Sequence, residues 1–332
     1  MRKILKFSGV KVAVSASIAG TKEGEGPLSA EFDKIEHDAY FGQKSWELAE
    51  GELQSRTAAL ALKKASLTSD DVDIVICGDL EDQCFASSKG AMQSASSMLG
   101  IYGACSTMAE SLLIGSMAIS GCFADRVMSL TSSHFCAAEK QFRFPLEYGA
   151  QRPQTAQWTV TASGAIILEH GTEEKGVFIT RGMIGKPIEM GITDANNMGS
   201  AMAPAAQDTI CEFLKEAGES PDNYDLILTG DLGKEGSRLM KELALEAGFD
   251  LNSVHNDCGL MIYDIERQDV HSGGSGCGCS ASVVASHILN QMKKGNLKKI
   301  LYVATGALMS ATSALQSQPI TGIAHLVELE VK

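Results

Sequence analysis

The sequence predicts an α/β protein built from two related halves, and three observations carry that reading. Residues 73–80 (DIVICGDL) return as residues 225–232 (DLILTGDL), an offset of 225 − 73 = 152. Cys105-Ser106 returns as Cys279-Ser280 and Gly121 as Gly295, both at an offset of 174. Internal repetition in one order marks a duplicated unit. The β-branched runs 72–77 and 225–229 end at Gly-Asp and fit buried parallel strands that open into loops. A content of 33 Gly with only 6% aromatic residues suits tight strand-to-helix turns. The expected halves are 1–170 and 171–332, each a sheet with crossover helices on both faces. A ligand site is expected where the halves meet.

Taken in order, residues 10–16 alternate as a strand, and a Gly-rich excursion follows at 20–27. Residues 47–64 carry apolar positions at helical spacing, 72–77 form a strand, and 86–98 read as helix. The 101–107 turn (IYGACST) leads into a helix over 108–120. Residues 126–130 make another strand, a polar loop runs to Gln157, and 158–168 are strand-like, with Gly164 permitting a close approach. The second half repeats this order with 174 − 152 = 22 extra residues between its first two matched elements. That insertion includes 254–259, read as a loop cluster.

Composition bounds the function. A formal net charge of −13 argues against nucleic acid and against direct attraction to anionic lipid. The N-terminus has no uninterrupted apolar h-region, and no stretch reaches membrane-span length, so a soluble chain is expected, held at a membrane only through partners. Nine scattered Cys, an odd number in a long chain, read as reduced thiols in a cytosol-like compartment.

The turn at Gly103-Ala104-Cys105-Ser106 is the chemical focus. A thiol at the start of an apolar helix feels the positive end of the dipole and meets unpaired N–H groups. Both favour thiolate, which would make Cys105 a nucleophile or part of an anion pocket. The other reading is a small buried Cys packed where strand meets helix.

The Gly103-Ala104-Cys105-Ser106 turn and the 158–168 run (WTVTASGAIIL) resemble the thiolase superfamily. The resemblance implies a thiolase-like fold, two duplicated βαβαβαββ halves in a layered αβαβα architecture. More narrowly, the chain resembles the stage V sporulation protein AD family of spore-forming bacteria. The matching stretches are 43–47 (QKSWE), 142–149 (FRFPLEYG), Asp194 with 198–206 (MGSAMAPAA), 224–232, 257–260 (DCGL) and 273–281 (GGSGCGCSA). This resemblance implies binding of dipicolinic acid (pyridine-2,6-dicarboxylate), or its Ca chelate, and a role in its uptake into the developing spore. It also implies partners among the other SpoVA proteins of the spore membrane. The protein is then expected peripherally at the spore inner membrane or in the mother-cell cytoplasm. Superfamily relatives are usually dimers through the first half, which brings the expectation of a homodimer.

Condensation chemistry needs His/His or His/Asn groups, or a second Cys, to move protons and stabilise an oxyanion. At the positions implied by ketoacyl synthases, Asp231 stands near the expected His and Cys277 near the expected Asn. Residues 304–308 (ATGAL) stand where thiolases carry their C-terminal Cys motif. A carboxylate beside a developing oxyanion opposes charge build-up. The expectation is therefore a binding protein and not an enzyme, its catalytic site retired. The alternative is an acyltransferase using Cys105, with a base supplied by His134, His255 or His271; otherwise each of these His is a surface or hydrogen-bonded loop residue.

A dipicolinate site needs donors or cations for two carboxylates and a slot for a flat ring. The expected ligand-binding residues are Cys105, Ser106, His134, Arg143, Asp231, Asp257, Gly276 and Cys277. The Cys105 turn and the 276–279 turn offer backbone N–H groups, and His134 is expected to face the same crevice. Arg143 either grips a carboxylate or forms a salt bridge in its loop. Asp231 and Asp257 would repel a bare dianion, so they accept from a protonated ligand, orient a donor, or help hold Ca²⁺ that could accompany the ligand. No resident cofactor or metal is expected. The 255–279 cluster of His, Asp and Cys matches no zinc spacing, and the 273–278 glycines lack the dinucleotide register.

Overall fold

The computed structural model describes residues 2–92, 96–141, 151–171 and 175–332. Ten principal strands build it. The first half supplies β1 (Val10–Ala19), β2 (Ile74–Gly78), β3 (Ser97–Gly100), β4 (Arg126–Ser133) and β5 (Ala162–His170). The second supplies β6 (Val177–Met183), β7 (Leu226–Thr229), β8 (His255–Asp257), β9 (Lys299–Leu308) and β10 (Thr321–Val331).

Their spatial order is β8-β7-β9-β10-β6-β1-β5-β4-β2-β3. Outward from the centre the first half reads β1-β5-β4-β2-β3 and the second β6-β10-β9-β7-β8, the same topology twice. Directions repeat too: β2 and β7 lie parallel to both neighbours, while β5 and β10 run antiparallel to both of theirs. The two arrays touch edge to edge through Lys11 and Phe178.

Helices complete the layers: α1 (Trp46–Ala65), α2 (Phe85–Ala91), α3 (Thr107–Ser120), α4 (Met198–Ala217), α5 (Gly233–Glu246) and α6 (Cys277–Val283). Ser45 caps α1 by accepting the Leu48 N–H at 3.4 Å. α1 covers β1, β5 and β4 from outside, and α4 covers β10 and β9. α3 touches β2, β4 and β5 of its own half and β9 and β10 of the other. α6 packs on β5, β4 and β1 of the opposite half. These two helices are the middle layer, and α3 is accordingly apolar over most of its surface, with Glu110 its one charged residue and a narrow stripe at Glu110, Ile114, Met117 and Ala118 partly exposed.

Two expectations need correction. The 86–98 helix stops at Ala91, and Ser97–Gly100 instead pairs in parallel with Ile74–Cys77. A tertiary partner overrides the local pattern there. The 254–259 stretch is not a loop cluster either: His255–Asp257 is β8, the counterpart of β3. The extra length of the second half lies in α5, 14 residues against 7 in α2, and in the Cys258–Met261 helix with the coil after it. Among the described residues no helix is long and apolar enough to cross a membrane.

Candidate functional site

The turn before α3 is locked by its own side chains. Ser106 Oγ donates to the Gly103 carbonyl at 2.6 Å, and Thr107 Oγ1 donates to the Ala104 carbonyl at 2.6 Å. The Gly103 N–H donates to Thr107 Oγ1 at 3.1 Å. Ala104 is held at φ +50°, a left-handed conformation that costs an L-residue energy and aims the next side chain away from the helix. Gly306 of β9 presses on this turn from the other half, and a Cβ there would stand 2.4 Å from the Gly103 carbonyl oxygen. Ser106 therefore closes the turn, and Cys105 precedes it, just ahead of the helix.

The matching turn before α6 begins with the two-residue strand Gly274–Ser275, parallel to Trp158–Thr159. Gly276 has φ +106°, and a Cβ on it would lie 2.6 Å from Ser133 Oγ, so only glycine fits. The duplicated turns converge: Cys105 Sγ lies 3.9 Å from Ser275 Oγ.

Asp231 sits beneath both. Its Oδ2 accepts from Ser275 Oγ at 3.0 Å and from the Gly276 N–H at 2.9 Å; its Oδ1 accepts from Thr305 Oγ1 at 2.7 Å. Burial, and then the Asp231 charge, pushes the Cys105 thiol well above its ordinary range. The turn geometry alone argued for thiolate. Burial raises the Asp231 carboxyl too, against the three donors that favour its charged form. Desolvation, with this acid facing the thiol, outweighs the helix dipole, and Cys105 is a neutral thiol.

A cleft of about 690 Å³, measured with the open space at its mouth, lies over this arrangement. Cys105, Ser275 and Thr159 contribute to its lining, with Gln141, Glu139 and Asp82 among the other polar groups. Thr159 Oγ1 donates to Glu139 at 2.8 Å. Tyr102, Met198 and Met309 give flat and pliable apolar surface. Among the described lining residues none is Lys, Arg or His.

The other sequence-predicted residues are placed as follows. His134 does not face the cleft. Its Nε2 donates to the Ala39 carbonyl at 2.7 Å and its Nδ1 accepts from the Ala137 N–H at 3.4 Å, capping the short Phe135–Glu139 helix. Burial lowers its basicity, so it is neutral with both nitrogens used. Asp257 accepts from Thr229 Oγ1 at 2.6 Å and from the Leu232 and Gly233 N–H groups at 2.8 and 3.0 Å, anchoring the start of α5. The Cys277 thiol donates to the Ser132 carbonyl at 2.9 Å. Arg143 lies outside the described residues, as does the 142–149 run. His255 contacts Thr229 at 2.9 Å and His271 contacts the Pro153 carbonyl at 2.8 Å; neither is among the residues lining the cleft.

Sequence reasoning missed Ser275, Thr305, Thr159, Glu139 and Gln141. Ser275 and Thr159 stood inside runs already singled out, where a hydroxyl between glycines or at a strand end was a readable signal. Thr305 also stood in a run already singled out, 304–308, where its hydroxyl was passed over; Glu139 and Gln141 carried no signal. All nine cysteines are free. Among the described residues no group of three His, Cys, Asp or Glu side chains is arranged to hold a metal ion.

Duplicated arrays, two helices between them and a cysteine turn facing its twin define the thiolase-like fold. Solved structures agree. The likeness to 3-oxoacyl-[acyl-carrier-protein] synthase III from Aquifex aeolicus has a TM-score of 0.59 at 14% identity, covering 97% of this chain and 100% of that one. Cerulenin-bound OleA from Xanthomonas campestris matches with a TM-score of 0.63 at 13% identity, over 98% and 100% of the two chains. The family model for stage V sporulation protein AD matches residues 2–330. Stage V sporulation protein AD of Bacillus subtilis (strain 168) is 45% identical over 316 residues, 95% of this chain and 93% of that protein. The chain belongs to the stage V sporulation protein AD family.

Proposed function

We propose that this protein is a non-catalytic binding protein for dipicolinate, taken as the free dianion or as its Ca chelate. It serves dipicolinate uptake into the developing spore, held at the spore inner membrane by the other SpoVA proteins. The observation that carries the non-catalytic part is Asp231 under Cys105. A condensing nucleophile needs a thiolate and a nearby neutral donor for the oxyanion. Here burial, and then Asp231, raises the thiol, and the Asp231 carboxyl occupies the donors Ser275 Oγ, Gly276 N–H and Thr305 Oγ1.

What the cleft offers a ligand fits a small flat polar molecule. Gln141, Thr159 and Ser275 supply polar contacts, and Tyr102, Met198 and Met309 supply ring contact. Asp82 and Glu139 on the wall favour a ligand that arrives with its own cation, so the Ca chelate suits the described surface better than the bare dianion.

A homodimer is part of the same proposal. All four residues of β3, the outer strand of the first half, are exposed, with Met98 at 38% and Leu99 at 49%. Among the described residues no strand pairs with its outer edge, and an apolar edge strand is a template for pairing with a second chain.

Incubation with acyl-CoA followed by intact-mass measurement tests the non-catalytic reading. An unmodified mass is expected; an acyl adduct that disappears in Cys105→Ser would refute it.

A further inference from the structure

Beside the cleft, three carboxyls of the first half meet beneath the loop that follows β2. Glu50 comes from α1, Asp79 and Glu81 from the loop, and their exposures are 0%, 0% and 3%. Asp79 is fully partnered: Oδ1 accepts the Glu81 N–H at 2.7 Å, and Oδ2 accepts the Ser87 N–H at 2.7 Å and Ser87 Oγ at 2.5 Å. Glu50 Oε1 accepts from Ser132 Oγ at 2.7 Å. The Gln54 amide nitrogen ties the group together, reaching Ser132 Oγ and Ser87 Oγ at 2.9 Å each and the Gly78 carbonyl at 3.2 Å.

Three oxygens are left over. Glu50 Oε2 and both Glu81 carboxyl oxygens are buried with no donor on them. The two carboxyls act on one another across this gap with no donor between them, and only a proton held by the pair can supply one. The charges acting on the pair are all negative: Asp79 on both, and Asp82 on Glu81. The other elements packed around it bring neutral groups, namely Cys77 of β2, Cys84 before α2, Ser132 and the His134 N–H at the end of β4, and Cys277 of α6. Lys140, after the Phe135–Glu139 helix, is paired with Glu47.

We propose that Glu50 and Glu81 share a single proton that latches the 79–84 loop against α1, and with it Leu80 and Asp82 on the cleft wall. Loss of the proton leaves two buried anions beside Asp79 and frees the wall. The latch does not depend on what the cleft binds.

Burial, followed by the Asp79 charge, pushes Glu81 up to about 8 and raises Glu50 as well. An acid raised in the closed form holds that form fully below its ordinary value of 4.5 and loses the advantage as pH climbs to about 8. Hydrogen exchange of the 79–84 amides, corrected for intrinsic rates, reads this directly. Protection should fall by up to about tenfold per pH unit between about pH 5 and about pH 8, then level off. In Glu81→Gln, whose amide supplies the missing donor, protection should be flat, and Glu50→Gln serves the same purpose. Infrared difference spectra of wild type against Glu81→Gln should show one protonated carboxyl that is lost near pH 8. Equal pH dependence in wild type and variant, or no protonated carboxyl in that difference, would overturn the proposal.

Discussion

Ser275 Oγ lies 3.0 Å from Asp231 Oδ2 and 3.9 Å from Cys105 Sγ, so one hydroxyl links a buried carboxylate to the thiol that the duplicated turn presents. Burial and Asp231 together hold the thiol in its neutral form, because a thiolate would be formed beside this acid in a site from which water is excluded.

The first prediction concerns that suppression. Alkylation of Cys105 by iodoacetamide, followed by peptide mass spectrometry, should be slow at pH 8. Asp231→Asn keeps the shape and removes the charge, and should speed it by about tenfold or more, one pKa unit being a factor of ten. Equal rates would show that Asp231 does not govern the thiol.

Gly276 should tolerate no side chain. Gly276→Ala places a Cβ 2.6 Å from Ser133 Oγ at φ +106°. A loss of at least about 2 kcal/mol in denaturant unfolding is expected from the backbone conformation and the clash together.

The acid limb of stability should involve His325. It is 7% exposed, and burial lowers its pKa to about 4. A depressed histidine contributes stability that is present above its unfolded value of about 6.5 and lost as pH falls to about 4, up to roughly 3 kcal/mol. The Gly185 N–H donates to its Nδ1 at 3.2 Å, a bond an Asn oxygen can accept. His325→Asn should therefore flatten melting temperature between about pH 4 and about pH 6.5.

The exposed edge of β3 predicts a dimer. Met98→Lys with Leu99→Lys should yield a monomer by light scattering, with melting little changed, since both side chains are already exposed. A wild-type monomer would remove this part of the proposal.

Much of the fold was legible because duplication repeats strong local signals. The 73–80 and 225–232 runs became β2 and β7 in equivalent places, and Gly164 does allow close approach, since a Cβ there would stand 2.3 Å from the Ala281 carbonyl oxygen. β3 was hidden because Ser97-Met98-Leu99-Gly100 carries little strand pattern and is ordered by its pairing with β2. At the site, the Cys105 turn was readable from small residues next to an apolar helix. Its protonation was not, because Asp231 is 126 positions away in sequence (231 − 105) and the contact exists only once the halves close. His134 misled for a related reason: it directly follows β4, but the Ala39 carbonyl, a long-range partner, turns the ring elsewhere.

The account rests most directly on ligand binding. Isothermal calorimetry should show saturable heat for dipicolinate with Ca²⁺, and weaker heat for dipicolinate alone, at up to roughly millimolar ligand. Cys105→Trp, which fills the cleft floor, should abolish both in a protein of unchanged circular dichroism. Folded wild-type protein that gives no heat with either form would contradict the central claim.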